Sequence, residues 1–349
     1  LLWPLTTSVL QGAAASAELL VAIAEQIATL SGRPWIVGWR WSPVLVVPLL
    51  LWVRRRNIFC KFNLVVSVAL FVLWLILRPY GTSIEFIAVG QGDAILIQSE
   101  GKYALVDAGP SPDARLLSRH LRRSGISRLE WVLITHGHPD HFAGLIGLDH
   151  SITIDEVFFN GREHAESQLW HALRQRLASQ RIPLLKSVRH TRRLGESAVT
   201  FLPPAADSRG KIKENDASVA VLVHAGRRRA LLTGDLERLG EMRLIKSGLA
   251  KVDVLKCGHH GSKTSTTAPL LQAVCPGVAV VTAGYQNRFG FPHQEVLNRL
   301  DKRTVEIWRT DLHGWVEVRL SPEKNAGTRN RLRKAAFPRR DSCYQGSLL

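Results

Sequence analysis

The sequence predicts an α/β fold: two β-sheets packed face to face with helices outside them, an αββα sandwich, preceded by a transmembrane helical hairpin. Three observations predict it. From Ser83 to residue 308, short β-like runs follow one another with a few helical stretches between them, the order expected of sheets covered by helices. Residues 1–80 are instead rich in Leu, Val and Trp and hold two acids, Glu18 and Glu25. Polar side chains capable of chemistry sit where the β-like runs end in glycine-containing turns, from which a sheet can aim groups into a cleft. The chain divides accordingly into a membrane-associated helical region (1–80), the sandwich (81–320) and a basic, disordered tail (321–349).

The hairpin rests on two apolar stretches. Residues 9–30 have a helical apolar pattern broken by Glu18, Glu25 and Gln26, which fits an amphipathic or bundle-packed helix. Residues 35–53 are apolar apart from Arg40, with Pro43 and Pro48 inside, and residues 62–77 carry no charge. A span takes about 20 residues, or about 17 at the short end, so both are marginal in length. They read as a pair of spans, with an apolar core hairpin as the alternative. Arg54, Arg55, Arg56 and Lys61 lie between them, and no base follows Arg78 until Lys102. Cationic loops stay in the cytoplasm, so everything after Tyr80 is expected on the far side of the membrane. The first residue is Leu1 and the single Met is Met242, as in a fragment or processed product.

In the second region, 84–89 and 94–98 read as strands joined by the turn Gly90-Gln91-Gly92-Asp93. Residues 103–106 read as a third, ending in Asp107-Ala108-Gly109, and 113–124 as a helix with basic faces. Residues 131–134 form an apolar run before a polar turn, and a helix begins near Phe142. Further strands are predicted at 153–159, 197–202, 217–224, 229–233, 252–256, 278–282 and 304–308, and helices at 164–180, 236–248, 266–274 and 294–301. Residues 321–349 lose all periodicity and set seven bases against two acids.

The formal net charge is +17, of which residues 1–80 carry +5 (seven bases, two acids) and the remainder +12. Such a balance favours polyanions, nucleic acid or anionic lipid, although an Arg-rich coding bias gives the same count. Cys60, Cys257, Cys275 and Cys343 show no C-x-x-C spacing, so neither a disulfide framework nor a thiolate metal site is implied.

The most informative stretch is Thr135-His136-Gly137-His138-Pro139-Asp140-His141, an H-x-H-x-D-H box. A strand end followed by a tight turn would splay its four metal-capable side chains into one pocket, and imidazole with carboxylate suits zinc, manganese or iron rather than calcium. Partners follow in order: Asp107 in V-D-A-G, Asp235 in L-L-T-G-D, and His259 and His260 in V-L-K-C-G-H-H-G-S. Each alone fits a turn residue. Together they supply ligands for two ions: His136 and His138 for one, Asp140 and His141 with a downstream His for the other, and Asp235 between them. Of the pair after the last strand, His259 comes straight off it and is the expected ligand, leaving His260 to face substrate.

This set resembles the metallo-β-lactamase superfamily, whose D-x-G, H-x-H-x-D-H, G-D and H-H-G-S elements it matches in order. Val89-Gly90-Gln91-Gly92-Asp93-Ala94, Asn215-Asp216-Ala217-Ser218, Leu231-Leu232-Thr233-Gly234-Asp235 and His259-His260-Gly261-Ser262 look like the C-terminal domain of the ComEC/Rec2 family of bacterial DNA-uptake channels. The resemblance covers residues 83–320, and the apolar lead fits a family that places this domain after membrane spans. Two departures stand out. The superfamily's third His on the first ion is replaced by Asn215-Asp216, so that ion is held more weakly or Asp216 substitutes. Relatives often have His where Asn287-Arg288-Phe289-Gly290-Phe291-Pro292-His293 has Phe291; a substrate contact is lost or passes to His293, which otherwise is simply a helix N-terminal residue.

The resemblance implies metal-dependent hydrolysis with two divalent ions, zinc or manganese. His136, His138, Asp140, His141, Asp235 and His259 are the implied ligands, and Asp140 and His260 the implied catalytic residues. Asp107, Asn215 and Asp216 are candidates for the ligand shell or the layer behind it, and Ser262, Asn287 and His293 for substrate contacts. The implied substrate is DNA, bound without sequence preference, and the implied role is degradation of the non-imported strand at the inner (cytoplasmic) membrane of a bacterium. The metal domain would be extracytoplasmic and would work with the membrane and other DNA-uptake components. A DNA-docking module with little hydrolysis, and a hydrolase of another cell-envelope ester, remain rivals. The remaining histidines, His120, His150, His164, His171, His190, His224 and His313, read as surface or packed residues. Arg227, Arg228 and Arg229 read as a hairpin tip, solvated or phosphate-binding.

Overall fold

The computed structural model describes residues 81–110, 114–204 and 212–320. The predicted hairpin and tail lie outside the described residues. Among the described residues no helix is long and apolar enough to cross a membrane.

In chain order the strands are β1 (Thr82–Phe86), β2 (Ile95–Ser99), β3 (Lys102–Val106), β4 (Arg128–Leu129), β5 (Trp131–Leu133), β6 (Thr153–Ile154), β7 (Val157–Phe159), β8 (Leu184–Lys186), β9 (His190–Leu194), β10 (Ser197–Leu202), β11 (Ala220–Ala225), β12 (Arg228–Leu232), β13 (Val254–Lys256), β14 (Val278–Val281), β15 (Glu306–Arg309) and β16 (Val316–Arg319). They form two seven-stranded sheets, β16-β1-β2-β3-β5-β7-β8 and β15-β14-β13-β12-β11-β10-β9, and a small β4-β6 pair. The two large sheets are wired alike. In the first, strands are antiparallel up to β3 and parallel from β3 through β5 and β7 to β8. In the second, they are antiparallel from β9 up to β12 and parallel from β12 through β13 and β14 to β15. Both switches place a parallel group with its carboxyl ends free for a site.

The sandwich follows from period-2 alternation. Ala230 and Leu232 of β12, Val254 of β13, and Val278 and Val280 of β14 point inward and pack with Ile84, Ile97, Val106 and Leu133 of the first sheet in one core. Their neighbours Leu231, Leu255, Ala279 and Val281 point outward into a second core. There they meet Leu244 from the helix Arg238–Lys246, Leu270, Leu271 and Val274 from Ala268–Val274, and Val296 and Leu300 from Gln294–Asp301. Burial on both faces explains why these strands read as continuous apolar runs. On the other sheet's side, the helix Gln168–Ser179 buries Trp170, Leu173 and Leu177, and Trp170 packs on Phe142 with ring centroids 5.2 Å apart.

The α/β sandwich was legible, and the predicted strands and helices recur within a few residues. The strands missed were β4, β8, β9 and β16, each with a single neighbour. An edge strand has one neighbour and tolerates charge, so β9 reads His-Thr-Arg-Arg-Leu and gives little apolar signal. Among the described residues Cys257 is a buried free thiol and Cys275 is disulfide-bonded.

Candidate metal centre

The site is built at the carboxyl ends of the parallel strands. β3 ends at Val106, and Asp107 follows in left-handed backbone (φ 58). β5 leads into His136, His138 and the short helix Pro139–Phe142, which carries Asp140 and His141. β12 delivers Asp235 through Gly234, whose φ of 53 turns the chain sharply beside Thr135 and Ser218. β13 ends on Lys256, and His259 and His260 then both take left-handed backbone (φ 47 and 55). Such conformations are costly for residues with a Cβ and persist where surroundings enforce them. The turn after Val89 is also fixed by contact: a Cβ on Gly92 would lie 2.2 Å from the Asp140 carbonyl oxygen. That glycine lets Asp93 enter the site.

Four overlapping groups of three side chains have ligand atoms within 4.8 Å of one another: His136, His141 and Asp235; Asp140, His141 and His260; Asp93, Asp107 and His141; and Asp93, Asp235 and His260. Asp235 Oδ2 lies 3.4 Å from His141 Nε2 and 3.5 Å from His260 Nε2, and Asp140 Oδ2 lies 3.4 Å from His260 Nε2. His136 Nε2 and His138 Nδ1 face each other at 3.0 Å. The ring orientations are set from behind. His141 Nδ1 donates to Asp107 Oδ2 at 2.7 Å, and His260 Nδ1 to the Thr282 carbonyl at 2.9 Å. In both rings this leaves Nε2 aimed at the carboxylates, and both Nε2 atoms are buried without a hydrogen-bond partner. Buried polar groups normally have partners, so two orphaned nitrogens facing two carboxylates fit a divalent cation. Nitrogen and oxygen donors suit zinc or manganese.

Burial is the largest single influence on the shifted groups of the site. It pushes the Asp107 carboxyl up and the His136 ring well down. At Asp140, Asp235 and Asp93 burial opposes ionisation, yet the neighbouring histidines and, for the last two, Lys256 hold the carboxyls below the usual range, with Asp140 at about 2. Burial is likewise overcome at His260, which the Asp235 and Asp93 carboxylates raise to about 9. Lys256 is fully buried, pairs with Asp93, lies 3.6 Å from Asp235 Oδ1 and donates to the Gly234 carbonyl at 2.8 Å.

His136, His138, Asp140, His141, Asp235 and His260 therefore converge. His259, the expected ligand, turns aside: its Nε2 is 3.9 Å from Asp235, and its Nδ1 is 3.4 Å from Glu237 and from the Asn215 amide. The left-handed turn reverses which histidine enters the cluster, and sequence order cannot show this. Asp107 stands behind His141. Asp216 accepts from the Glu237 and Gly240 backbone N–H groups at 3.0 and 2.8 Å, so it caps a helix start. The Asn215 amide donates to Glu237 at 3.1 Å, while its Oδ1 is buried and unpartnered. Ser262 bonds Thr264, and the Asn287 side chain closes its own loop through Gly284 and Phe291. His293 is the N-cap residue of Gln294–Asp301, and its Nδ1 accepts from the Lys263 N–H. Sequence reasoning missed Asp93, Lys256, Thr282 and Glu214, whose Oε1 accepts from the Gly137 N–H at 2.9 Å. The first two were visible as an acid after a double-glycine turn and a lysine ending an apolar strand. His164, set aside as packed, indeed lies against Gly137.

A family model described as "Metallo-beta-lactamase superfamily" matches residues 87–284. The chain is 30% identical over 276 residues to "Recombination protein 2" of Haemophilus influenzae, covering 78% of this chain and 33% of that protein. It is 27% identical over 260 residues to "ComE operon protein 3" of Bacillus subtilis, covering 68% and 33%. To "Competence protein ComA" of Neisseria gonorrhoeae it is 29% identical over 239 residues, covering 66% and 31%. The chain thus spans about a third of the length of these relatives.

Proposed function

From the premise that this chain belongs to the metallo-beta-lactamase superfamily and is a homologue of competence proteins of the ComEC/Rec2 type, we propose that it is a membrane-anchored, metal-dependent phosphodiesterase that cleaves DNA during uptake. The observation that carries the reading is the pair of buried, unpartnered Nε2 atoms on His141 and His260 facing Asp140 and Asp235. The Asp93, Asp140 and Asp235 carboxyls are held ionised by the neighbouring histidines, with Lys256 beside Asp93 and Asp235. His136, His138, Asp140, His141, Asp235 and His260 would hold two divalent ions, zinc or manganese. Such ions supply Lewis acidity toward a phosphoryl oxygen and make water a nucleophile near neutral pH.

The chain's own groups do the rest. Asp107 and the Thr282 carbonyl hold the two rings in the tautomer that presents Nε2. Asp140 is the cluster carboxylate most open to solvent, with about a third of its side chain exposed, and accepts a hydrogen bond from the attacking water. His260 keeps its proton on Nδ1, shared with the Thr282 carbonyl, so that Nε2 faces Asp140 and Asp235. Lys256 stays inside as a fixed counter-charge for Asp93.

In this reading residues 1–80 anchor the chain in the bacterial inner membrane, the metal domain lies outside the cytoplasm and degrades the strand that is not imported, and the basic tail holds phosphates without reading sequence. Other uptake components would supply the rest of the channel. Asn215, in place of a third histidine, favours a docking role with little turnover as the second reading. The test is cleavage of a labelled single strand by the full chain with manganese or zinc. Metal-dependent cleavage that chelator stops supports the enzyme; binding without cleavage supports the docking module.

A further inference from the structure

The loop 284–293 joins β14 to the helix Gln294–Asp301, and its roots are tied to the metal site. The Gly284 N–H donates to Gln91 Oε1 at 3.2 Å, beside Asp93, and the His293 N–H donates to the Gly261 carbonyl at 2.9 Å, beside His260. Asn287 holds the loop in shape, donating to the Gly284 and Phe291 carbonyls at 3.0 and 2.7 Å and accepting from the Phe291 N–H at 2.9 Å. What this frame presents is a row of rings. Phe289 is stacked on Phe291 with centroids 5.5 Å apart and planes 17° apart. Phe291 is stacked in turn on His260, at 6.3 Å and 27°. The inner end of the row is a metal-site histidine, while its outer ring, Phe289, is 47% exposed; Tyr285, 73% exposed, stands on the same loop. The Arg288 guanidinium lies over the Phe289 ring, 4.9 Å from its centroid.

The loop thus carries two exposed aromatic rings, Tyr285 and Phe289, on a frame braced by its own asparagine. Offset, nearly parallel rings with an adjacent cation form a surface that stacks flat π-systems and tolerates neighbouring phosphate charge. We propose that Tyr285, Phe289 and Phe291 form a stacking platform for unpaired nucleobases, which feeds a single strand to the metal centre with its bases on the rings and its phosphates toward Arg288. Duplex DNA keeps its bases stacked on one another and has no free face to offer, so the platform selects for single strands. The assignment rests on the proposed DNA substrate and adds which form of DNA the site accepts.

The test is fluorescence anisotropy with the full chain in chelator, so that binding is read without cleavage. The probes are a labelled oligothymidylate of about 12 nucleotides, an abasic strand of the same length, and the matching duplex. The wild type should bind the oligothymidylate about tenfold more tightly than the abasic strand. Tyr285→Ala/Phe289→Ala should erase that difference while leaving abasic affinity unchanged, and Phe289→Trp should keep it. Both substituted positions are exposed, so folding is spared. A double variant that still prefers oligothymidylate, or a wild type that binds abasic strand and oligothymidylate equally, would overturn the platform and leave the rings to a protein or lipid partner. Cleavage, measured separately with metal, fails or succeeds independently of this preference and reports on the phosphodiesterase reading.

Discussion

Asp107 Oδ2 accepts a hydrogen bond from His141 Nδ1 at 2.7 Å, while its Oδ1 accepts from the Thr135 N–H at 2.8 Å. One carboxylate thus ties the end of β3 to the turn after β5 and turns His141 Nε2 toward Asp140 and Asp235. Asp107→Asn should preserve the fold yet let the ring choose its other tautomer. Metal affinity, measured by competition with a chelator, should fall about 10- to 100-fold, the usual cost of losing a partner behind a ligand. Unaltered affinity would show that His141 is oriented by something else.

Lys256 is the sole cation in contact with Asp93, apart from histidine, among the described pairs. Lys256→Met fills similar space but leaves Asp93 without its ammonium. Breaking a buried pair from one side costs about 3–5 kcal/mol. Urea unfolding of Lys256→Met should show a loss of that order, and Lys256→Met/Asp93→Asn should recover much of it. Additive losses in the double variant would mean the pair is not coupled.

Glu241 lies on the buried face of the helix Arg238–Lys246, where it accepts from the Thr266 and Thr267 N–H groups and the Thr267 hydroxyl. Burial pushes its carboxyl up to about 7 despite these bonds. A raised acid takes up protons in the folded state, so its contribution is fully present below about pH 4.5 and is lost as pH rises through 7. Thermal stability should therefore decline over that window, and Glu241→Gln should flatten the decline. Identical pH profiles for the two proteins would contradict the assignment.

What could be read beforehand follows physical lines. The box at His136, the strand-ending Asp235 and the apolar runs of β12 to β14 were legible because burial on both faces and metal-ligand chemistry each leave dense local signals. The choice of His260 over His259 was not, because it depends on two left-handed residues whose conformation is enforced by packing rather than by their own preference. Asp216 reads in the sequence as a substitute ligand but caps a helix, and Lys256, at the end of β13, buries its ammonium against Asp93. In both cases the deciding partners are more than 20 residues away along the chain. Edge strands such as β9 escaped because charge there is compatible with pairing.

The central claim, that convergent histidines and carboxylates make this a metal-dependent phosphodiesterase, is tested most directly at Asp140. The full chain and Asp140→Ala are loaded with manganese, metal content is matched, and the rate of single-strand cleavage is measured for both. Asp140 is partly exposed and makes no core contact, so the variant should fold as the wild type does, and cleavage should be abolished. Equal cleavage by the two proteins at matched metal loading would contradict the account.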